Sequence, residues 1–355
     1  MSAPVPDVME PGFALPHDLE AHEPPEARGL ARDGVRLLVT HGGTGQIGHH
    51  TFTDLPGLLR PGDLLVVNNS ATLPAAVRLD RLAVHFSTER EDGTWLVELR
   101  RRTERRETGT GAAVSMDIAG GPYPGGAPGE WLPLPGGATL HLLERETPRL
   151  WRARLDREVP SYLRRYGVPI RYSYVGRDWP LADYQTVFGV RDGSAEMPSA
   201  GRPFTTGLVT RLVSHGVGLA PITLHTGVAS PEKDEPPYAE RFEVPETTAR
   251  QVELARESGG RVIAVGTTVV RALETAALAD GRVRAARGWT SHLVTPSAGV
   301  RAVNGLLTGL HEPRSSHLLM LSAIVGGGLL SRSYAEALKE GYLWHEFGDT
   351  HLILA

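Results

Sequence analysis

The turn at Gly266-Thr267-Thr268 has the strongest chemical pattern in the chain. It follows the apolar run Arg261 to Val265, which predicts a buried strand, and precedes Val269 to Ala279, which predicts a helix. A turn of this kind points free backbone N–H groups and two hydroxyls toward a ligand at the end of the strand. On the helix, Arg271 and Glu274 could form an ion pair. An ordinary capped helix with a surface ion pair explains the pattern equally well.

Two histidines are candidate proton carriers because each follows an apolar run. His225 lies in ITLHTG and His311 in GLHEP, so either could line a cleft at the end of a strand. A lone histidine in such a place is more often structural. His311 and His317, like His345 and His351, do not have the spacing of zinc ligands, and the sequence contains no H-E-x-x-H, so we expect no metal site.

Residues 43–48, GTGQIG, match the pattern G-x-G-x-x-G. In a dinucleotide site a helix begins at this pattern, with its N-terminus facing the phosphates. Here HHTFTDLPG follows, which contains β-type residues and a proline. We therefore predict a hairpin turn after a strand at Arg36 to Thr40, not a nucleotide site.

A group of arginines is the candidate phosphate-binding feature. A solvated face and a one-sided basic stripe that binds phosphates explain it equally well. The group comprises Arg100, Arg101, Arg102, Arg105, Arg106, Arg152, Arg154, Arg157, Arg164, Arg165 and Arg171. The sequence contains no G-x-S-x-G elbow, so a hydrolase triad has no support.

The elements that must position these residues indicate an α/β main domain with an inserted small all-β barrel-like domain. Short β-type runs with intervening turns fill residues 76–157, which we take as the insert. Residues 1–75 and 158–355 would then form a discontinuous α/β catalytic domain. Within it we expect a strand at Leu64 to Val67, helices at Pro245 to Ser258 and Ser315 to Val325, and a shorter helix at Tyr334 to Glu340.

The composition is that of a globular protein, with 41% hydrophobic and 22% charged residues in 355. The lack of cysteine excludes disulfides and thiolate catalysis. No apolar run approaches the ~20 residues of a membrane span, and the start, MSAPVPDVMEPGF, does not look like a signal peptide. We therefore expect a cytoplasmic protein without membrane contact. A net charge of -4 gives no global attraction to nucleic acid, so any RNA contact needs a local basic patch.

Six segments spread over the chain form one pattern. They are PGDLLVVNNS (61–70), DYQTVFG (183–189), ITLHTG (222–227), AVGTTVVRALETAA (264–277), GLHEPRSSHLLML (309–321) and FGDTHLI (347–353). In this order they resemble the S-adenosylmethionine:tRNA ribosyltransferase-isomerase family of queuosine biosynthesis. The opening FALPHDLEAHEPPEARG is also similar to the start of that family. The resemblance extends over nearly the whole chain.

The resemblance implies an α/β domain with an inserted β-barrel, and a defined reaction. The ribosyl part of S-adenosylmethionine is transferred and isomerised onto 7-aminomethyl-7-deazaguanine in tRNA, giving epoxyqueuosine-tRNA, adenine and methionine. No cofactor is implied beyond S-adenosylmethionine as co-substrate, and the partners would be S-adenosylmethionine and tRNA. The sulfonium acidifies the adjacent C5′ hydrogens, so a positioned base could start the reaction. The protein would mainly orient the substrates and exclude water.

The resemblance and the strand-end positions together predict the ligand pocket. His225 or His311 would transfer protons, and Asp349 would accept hydrogen bonds from a ribose or an amino group. The predicted substrate-binding residues are Asn68, Tyr184, Gln185, Thr186, Thr223, Gly227, Gly266, Thr267, Thr268, Arg271, Ser315 and Gly348. We expect a monomer or a weak oligomer.

The chain departs from the family pattern at several motif positions. Pro203 replaces a histidine, and Asn69, Ala71 and Ala76 replace an aspartate and two arginines. Alanine cannot supply the charged donors of arginine, and proline cannot carry a proton. Two alternatives therefore stay open beside the family activity. One is an enzyme that uses S-adenosylmethionine on another, small-molecule acceptor or cleaves it, and the other is a non-catalytic RNA-binding relative.

Overall fold

The computed structural model describes residues 12–106, 115–228, 238–313 and 315–355, without the side chains of residues 103–106 and 115–120. Most of the opening MSAPVPDVMEPGF therefore lies outside the described residues, as does Arg314. The first two residues of AVSMDI (113–118), which is one of the short β-type runs predicted in the insert, also lie outside them. So do the side chains of Arg105 and Arg106.

The described residues form strands and helices in alternating blocks. The strands are β1 (Arg36–His41), β2 (Gln46–Thr51), β3 (Leu64–Asn68), β4 (Ser70–Thr72), β5 (Ala76–Arg78), β6 (Leu82–Glu89), β7 (Trp95–Arg106), β8 (Ser115–Pro122), β9 (Trp131–Leu134), β10 (Ala138–Arg145), β11 (Leu150–Leu155), β12 (Arg191–Ser194), β13 (Gly218–Leu224), β14 (Glu240–Val244), β15 (Val262–Val265), β16 (Ala286–Thr290), β17 (Gly305–Gly309) and β18 (Thr350–Leu354). The α-helices are α1 (Leu55–Leu58), α2 (Val159–Tyr166), α3 (Thr206–Ser214), α4 (Glu246–Glu257), α5 (Thr267–Ala276), α6 (Ser316–Val325) and α7 (Gly327–Lys339).

Over the described ranges, the main sheet has nine strands in the order β16-β14-β13-β3-β15-β17-β18-β1-β2. Its centre is parallel, because β13, β3, β15 and β17 run in one direction. Strand β15 alternates between two apolar cores: Val262 and Ala264 face the one beneath α4 to α7, and Ile263 and Val265 face the one beneath α1 and α3. Burial on both faces explains its continuous apolar sequence. The expected α/β class is confirmed at this level.

Residues 43–48 contain the end of a turn and the start of β2, which pairs antiparallel with β1. Strand β1 pairs with β2 from Arg36 opposite Thr51 to His41 opposite Gln46. Gly45 has a φ of 69°, which glycine adopts without strain. The predicted hairpin is confirmed, and its second strand, which the sequence indicated at His50 to Phe52, begins earlier, at Gln46.

A second sheet is built from the segment that the sequence marked as an insert. The described strands pair antiparallel along an open path, β5-β6-β7-β11-β10-β9, and β8 joins it at β7. One face buries Trp95, Leu140 and Trp151. The same core takes Val159 and Leu163 of α2, so its packing extends past residue 157. Alternating burial along β10 is typical of a strand with one face on a core.

The C-terminal helices form a bent pair. Helix α6 ends at Gly326, whose φ of 79° suits glycine, and α7 begins at once at Gly327. The expected helix start at Tyr334 was therefore too late: Leu330 and Tyr334 lie on one buried face of a longer helix. Among the described residues no single helix is long and apolar enough to cross a membrane, although α6 and α7, bent by 115°, meet the length and composition criteria as a pair.

Candidate active site

The parallel centre of the main sheet collects the predicted site residues at one edge. The carboxyl ends of β13, β3, β15 and β17 meet there because the strands share one direction. Strand β18 runs antiparallel to β17, with Thr350 opposite Gly309, so the turn before it reaches the same edge. Ligands of open α/β sheets bind at this kind of edge.

Asn68 joins three segments at the end of β3. It is 3% exposed. Its Oδ1 accepts from Leu224 N at 3.0 Å and Ser70 N at 3.1 Å, and its Nδ2 donates to Leu224 O at 2.8 Å. The Nδ2 atom also lies 3.4 Å from the Thr268 hydroxyl. Asn68 therefore positions the strand ends around the start of α5, a role the sequence did not distinguish from ligand contact.

His225 follows β13 and is held by a pair of serines. Its Nδ1 lies 2.8 Å from Ser70 Oγ, which lies 2.6 Å from Ser194 Oγ. A Cβ on Gly193 would overlap the imidazole ring, so glycine lets the backbone pass against it. Burial, with the positive charges of Arg241 and Arg191, lowers the pKa of His225 to about 4. The ring is neutral at pH 7 and can accept a proton.

The start of α5 lies at the same edge. The helix begins at Thr267, two residues before the predicted Val269, and Gly266 precedes it with a φ of 98° that favours glycine. Gly266 N donates to Leu307 O at 2.8 Å, which fixes the turn against β17. The two threonines therefore stand in the first turn of the helix, whereas the sequence placed them in the turn before it.

Arg271 forms an ion pair and Thr223 a hydrogen bond next to this edge of the sheet. Arg271 pairs with Glu240, which also accepts from Gly227 N at 3.0 Å. The expected ion pair between Arg271 and Glu274 is wrong, because the Glu274 carboxylate accepts from the backbone N–H groups of residues 301 and 302 instead. Thr223 Oγ1 donates to Asn69 Oδ1 at 2.7 Å. The Glu240 contact holds the loop at Gly227 in place, and the Thr223 contact ties β13 to the residue after β3.

His311 follows β17 and is fixed on several sides. Its Nε2 lies 2.8 Å from Thr308 Oγ1, and its ring stacks on His317 with centroids 4.5 Å apart. Burial, then the neighbouring His317, lowers the pKa of His311 well below its usual value. Nearby, the hydroxyl of Ser315 is buried without a hydrogen-bond partner among the described residues. A buried hydroxyl of this kind is a candidate ligand contact.

Gly348 and Asp349 shape the turn before β18. The Asp349 carboxylate accepts from Arg36 N at 2.8 Å, Arg36 Nη2 at 3.0 Å and Leu343 N at 2.8 Å. Both oxygens accept hydrogen bonds from protein donors, so Asp349 positions Arg36. A Cβ on Gly348 would overlap the carbonyl oxygens of Leu343 and Trp344. Only glycine fits at this position.

The Tyr184-Gln185-Thr186 run lies beside β4. The Gln185 amide exchanges hydrogen bonds with the Thr72 backbone, at 3.0 Å to its N–H and 2.7 Å to its carbonyl. The hydroxyls of Tyr184 and Thr186 are buried and have no partner within the described ranges. Gln185 is therefore structural, whereas the two hydroxyls remain open to a ligand.

Comparison with known proteins places this geometry in a family. Residues 9–353 match the protein-family model described as queuosine biosynthesis protein. The chain belongs to this family. A curated S-adenosylmethionine:tRNA ribosyltransferase-isomerase of Moorella thermoacetica is 35% identical, covering 96% of this chain and 98% of the relative. That of Thermus thermophilus is 34% identical over 96% of this chain and 98% of its own.

A solved structure supports the same placement. The S-adenosylmethionine tRNA ribosyltransferase of Thermotoga maritima is 28% identical, and the match covers 96% of this chain and 99% of that one. The TM-score is 0.54. The fold is thus that of the queuosine biosynthesis family.

Sequence reasoning missed one group of residues in this family member. A small cavity of about 10 Å³ lies at the sheet edge, lined by Ser199, Arg202, Glu346 and Gly348 among others. Glu346 accepts from the Tyr174 hydroxyl, and burial raises the pKa of its carboxyl group. In the segment WHEFGD a single glutamate looks like a solvated charge, so no local signal marked it.

Arg202 is the second missed residue. It is 2% exposed, donates to Asp183 O at 2.9 Å and pairs with Glu26 at 3.0 Å. Burial lowers its pKa even though Glu26 is close. The adjacent Pro203, which replaces a histidine of the family pattern, also lines the small cavity.

Five arginines of the candidate phosphate-binding group in this queuosine biosynthesis family member pair with acids. Arg152 pairs with Asp92 at 2.5 Å, Arg164 with Asp192 at 2.7 Å, and Arg171 with Asp178 at 3.3 Å. Arg100 and Arg157 pair with Glu98 and Asp156. These five therefore fit the interpretation of ion-paired faces better than that of an open basic stripe.

Proposed function

We propose that this chain transfers and isomerises the ribosyl part of S-adenosylmethionine onto 7-aminomethyl-7-deazaguanine in tRNA. Adenine and methionine leave, and the product is epoxyqueuosine-tRNA. The observation that carries the proposal is the near full-length match to relatives named for the ribosyltransferase-isomerase, at 35% identity over 96% of the chain. It is an enzyme with S-adenosylmethionine as co-substrate. A tRNA substrate makes the cytoplasm the expected compartment.

S-adenosylmethionine is proposed to bind at the carboxyl edge of the main sheet. The helix start at Thr267 and Thr268 offers N–H groups and hydroxyls to its carboxylate or ribose. The hydroxyls of Tyr184, Thr186 and Ser315, which have no hydrogen-bond partner within the described part of the chain, supply further donors. The remaining predicted residues hold these groups in position; they are Asn68, Gln185, Thr223, Gly227, Arg271, Gly348 and Asp349.

Proton transfer is assigned first to His225 and second to His311. The reaction begins with loss of a C5′ proton next to the sulfonium, so the base must be unprotonated. Burial keeps both rings neutral at pH 7. His225 is preferred because its Nδ1 is already oriented by Ser70, which leaves Nε2 for the substrate. Both nitrogens of a neutral ring then have defined roles.

Residues 76–157 are proposed to form an inserted all-β domain, with residues 1–75 and 158–355 as the discontinuous α/β catalytic domain. Most of the apolar core of the antiparallel sheet comes from residues between Ala76 and Leu155, which supports the division, and α2 adds Val159 and Leu163 to it. An added module of this kind extends the surface available to a tRNA. We propose that the chain acts as a monomer or weak oligomer.

The test is adenine release from S-adenosylmethionine, with and without tRNA that carries 7-aminomethyl-7-deazaguanine. Release that requires this tRNA, with epoxyqueuosine found in the digested tRNA, supports the proposal. No adenine release with or without this tRNA would contradict the proposal and favour a non-catalytic relative. The His225→Gln variant should abolish release while binding of S-adenosylmethionine persists.

A second candidate is transfer to a small-molecule acceptor, or cleavage of S-adenosylmethionine. The observation that favours it is the position of Pro203, which lines the small cavity where the family pattern has a histidine. Ala71 in β4 and Ala76 in β5 also stand where the family pattern has arginines, so two positive charges are missing. Adenine release that is independent of tRNA would select this activity.

A further inference from the structure

The N-terminal segment lies along the chain just before β18. Trp344 N donates to Leu19 O at 2.8 Å, and Ala21 N donates to Trp344 O at 3.2 Å. This pairing brings His17, Glu20 and His22 together in a cluster outside the proposed site. One ligand atom from each residue lies within 4.8 Å of the others. The spacing H-x-x-E-x-H was not among the histidine patterns that the sequence pointed to.

Contacts behind the cluster already orient two of its members. His22 Nδ1 lies 2.6 Å from Tyr174 O. A carbonyl oxygen only accepts, so Nδ1 carries the proton and Nε2 keeps its lone pair. Glu20 Oε1 lies 3.2 Å from His345 Nε2, which leaves Oε2 facing His17 at 3.6 Å. Histidines that bind metals regularly donate their other ring N–H to a carbonyl in this way.

We propose that His17, Glu20 and His22 bind a divalent transition-metal ion of the zinc class. Two imidazoles and one carboxylate are a donor set such ions take, with the remaining position open to water. Calcium and magnesium are disfavoured because they prefer oxygen ligands alone. The ligand atoms must close to about 3.4 Å from one another to give bonds of about 2.1 Å in a tetrahedral site. His17 can make this move because its side chain is 84% exposed.

The ion would fix the conformation of residues 17–22, and this segment contacts His345, which lines the sheet-edge cavity. The backbone of Glu20 forms an isolated parallel β-bridge with that of Trp344, and the ring of His345 stacks on that of Tyr174 with centroids 3.8 Å apart. Glu346, the next residue, lines the cavity. The proposed metal site is therefore structural and lies beside the proposed active site, and it takes no part in the chemistry assigned to His225.

The test is binding of Zn²⁺ and Co²⁺ to the full chain, made without a histidine tag and treated with a chelator. We expect one Zn²⁺ per chain by calorimetry and the visible band of tetrahedral Co²⁺. His17→Ala should weaken binding at least tenfold, and His22→Ala by about 100-fold. His17 is exposed, so its variant tests the site without a risk to folding. Zn²⁺ should also raise the Tm of the native chain but not of the variants.

His215→Ala is the matched control, because His215 is exposed at the end of α3, away from the cluster. It should bind Zn²⁺ like the native chain. Unchanged Zn²⁺ affinity in His17→Ala and His22→Ala, or no binding by the native chain, would overturn the proposal. Adenine release by the chelator-treated chain is measured in parallel, so that failure of the metal site and failure of the proposed function are distinguished.

Discussion

The Ser70 hydroxyl lies 2.8 Å from Nδ1 of His225 and 2.6 Å from the Ser194 hydroxyl. The three residues come from β4, β12 and the end of β13, which are far apart in sequence. Strands β4 and β12 pair in parallel, with Thr72 opposite Ser194, and this pairing carries the serines to the histidine. The contact engages Nδ1 of His225, and Nε2 is the nitrogen that we propose meets the substrate.

Ser70→Ala is expected to lower kcat for adenine release by about tenfold with little change in KM. The reason is that the Ser70 hydroxyl orients the proposed base, His225, but does not bind the substrate. His225→Gln should lower kcat by at least about 100-fold. Steady-state adenine release at saturating tRNA measures both. Ser258→Ala, at the exposed end of α4, is the control and should leave kcat unchanged. Native kcat in His225→Gln would remove His225 from the mechanism.

Thr268→Val is expected to raise the KM for S-adenosylmethionine about tenfold, with a smaller effect on kcat. The change removes a hydroxyl at the start of α5, and one hydrogen bond to a ligand contributes about 1.4 kcal/mol. Thr210→Val is the matched control, because the Thr210 hydroxyl donates only to Thr206 O within α3. Equal KM values for the two variants would place the substrate away from α5.

His351→Asn tests the effect of a buried neutral histidine on acid stability. Burial lowers the pKa of His351 to about 3, and its Nε2 lies 2.8 Å from Thr40 Oγ1. The unfolded chain protonates this group near its ordinary pKa of about 6.5, while the folded chain does not. The stabilisation is therefore complete above about pH 6.5 and is lost progressively as the pH falls toward 3.

Urea unfolding between pH 7 and pH 4.5 measures this effect. In His351→Asn the free energy of unfolding should fall less steeply with decreasing pH, by up to about 1.4 kcal/mol per pH unit. His215→Asn, at an exposed position, should keep the native slope. Identical slopes for native chain and His351→Asn would show that His351 is protonated in the folded state.

Gly348→Ala is expected to destabilise the chain by more than about 2 kcal/mol and to impair S-adenosylmethionine binding, since the added methyl group overlaps the backbone carbonyls of Leu343 and Trp344. Gly328→Ala is the matched control, because nothing lies within 4 Å of a Cβ there and the residue is in α7. The control should be neutral or stabilised by up to about 1 kcal/mol. Urea unfolding compares the two, and equal stabilities would show that the turn at Gly348 can relax.

The sequence by itself determined the local elements and the family. The run Arg261 to Val265 predicts β15, and Pro245 to Ser258 predicts α4 within a residue at each end. The glycines at 43–48 predict the hairpin. These predictions hold because hydrophobic periodicity, helix ends and turn residues act over a few neighbouring positions. The six family segments needed no structure to be recognised.

Only the tertiary structure decided which side chains meet. Arg271 pairs with Glu240, not with Glu274 one turn away, and Asp349 pairs with Arg36, at the other end of the chain. The length of α7 and the place of Glu346 in the cavity likewise depend on packing between distant segments. Such contacts follow from the order and direction of the strands, which bring distant residues to one edge. No local pattern encodes that order, because it is a property of the packed sheet as a whole.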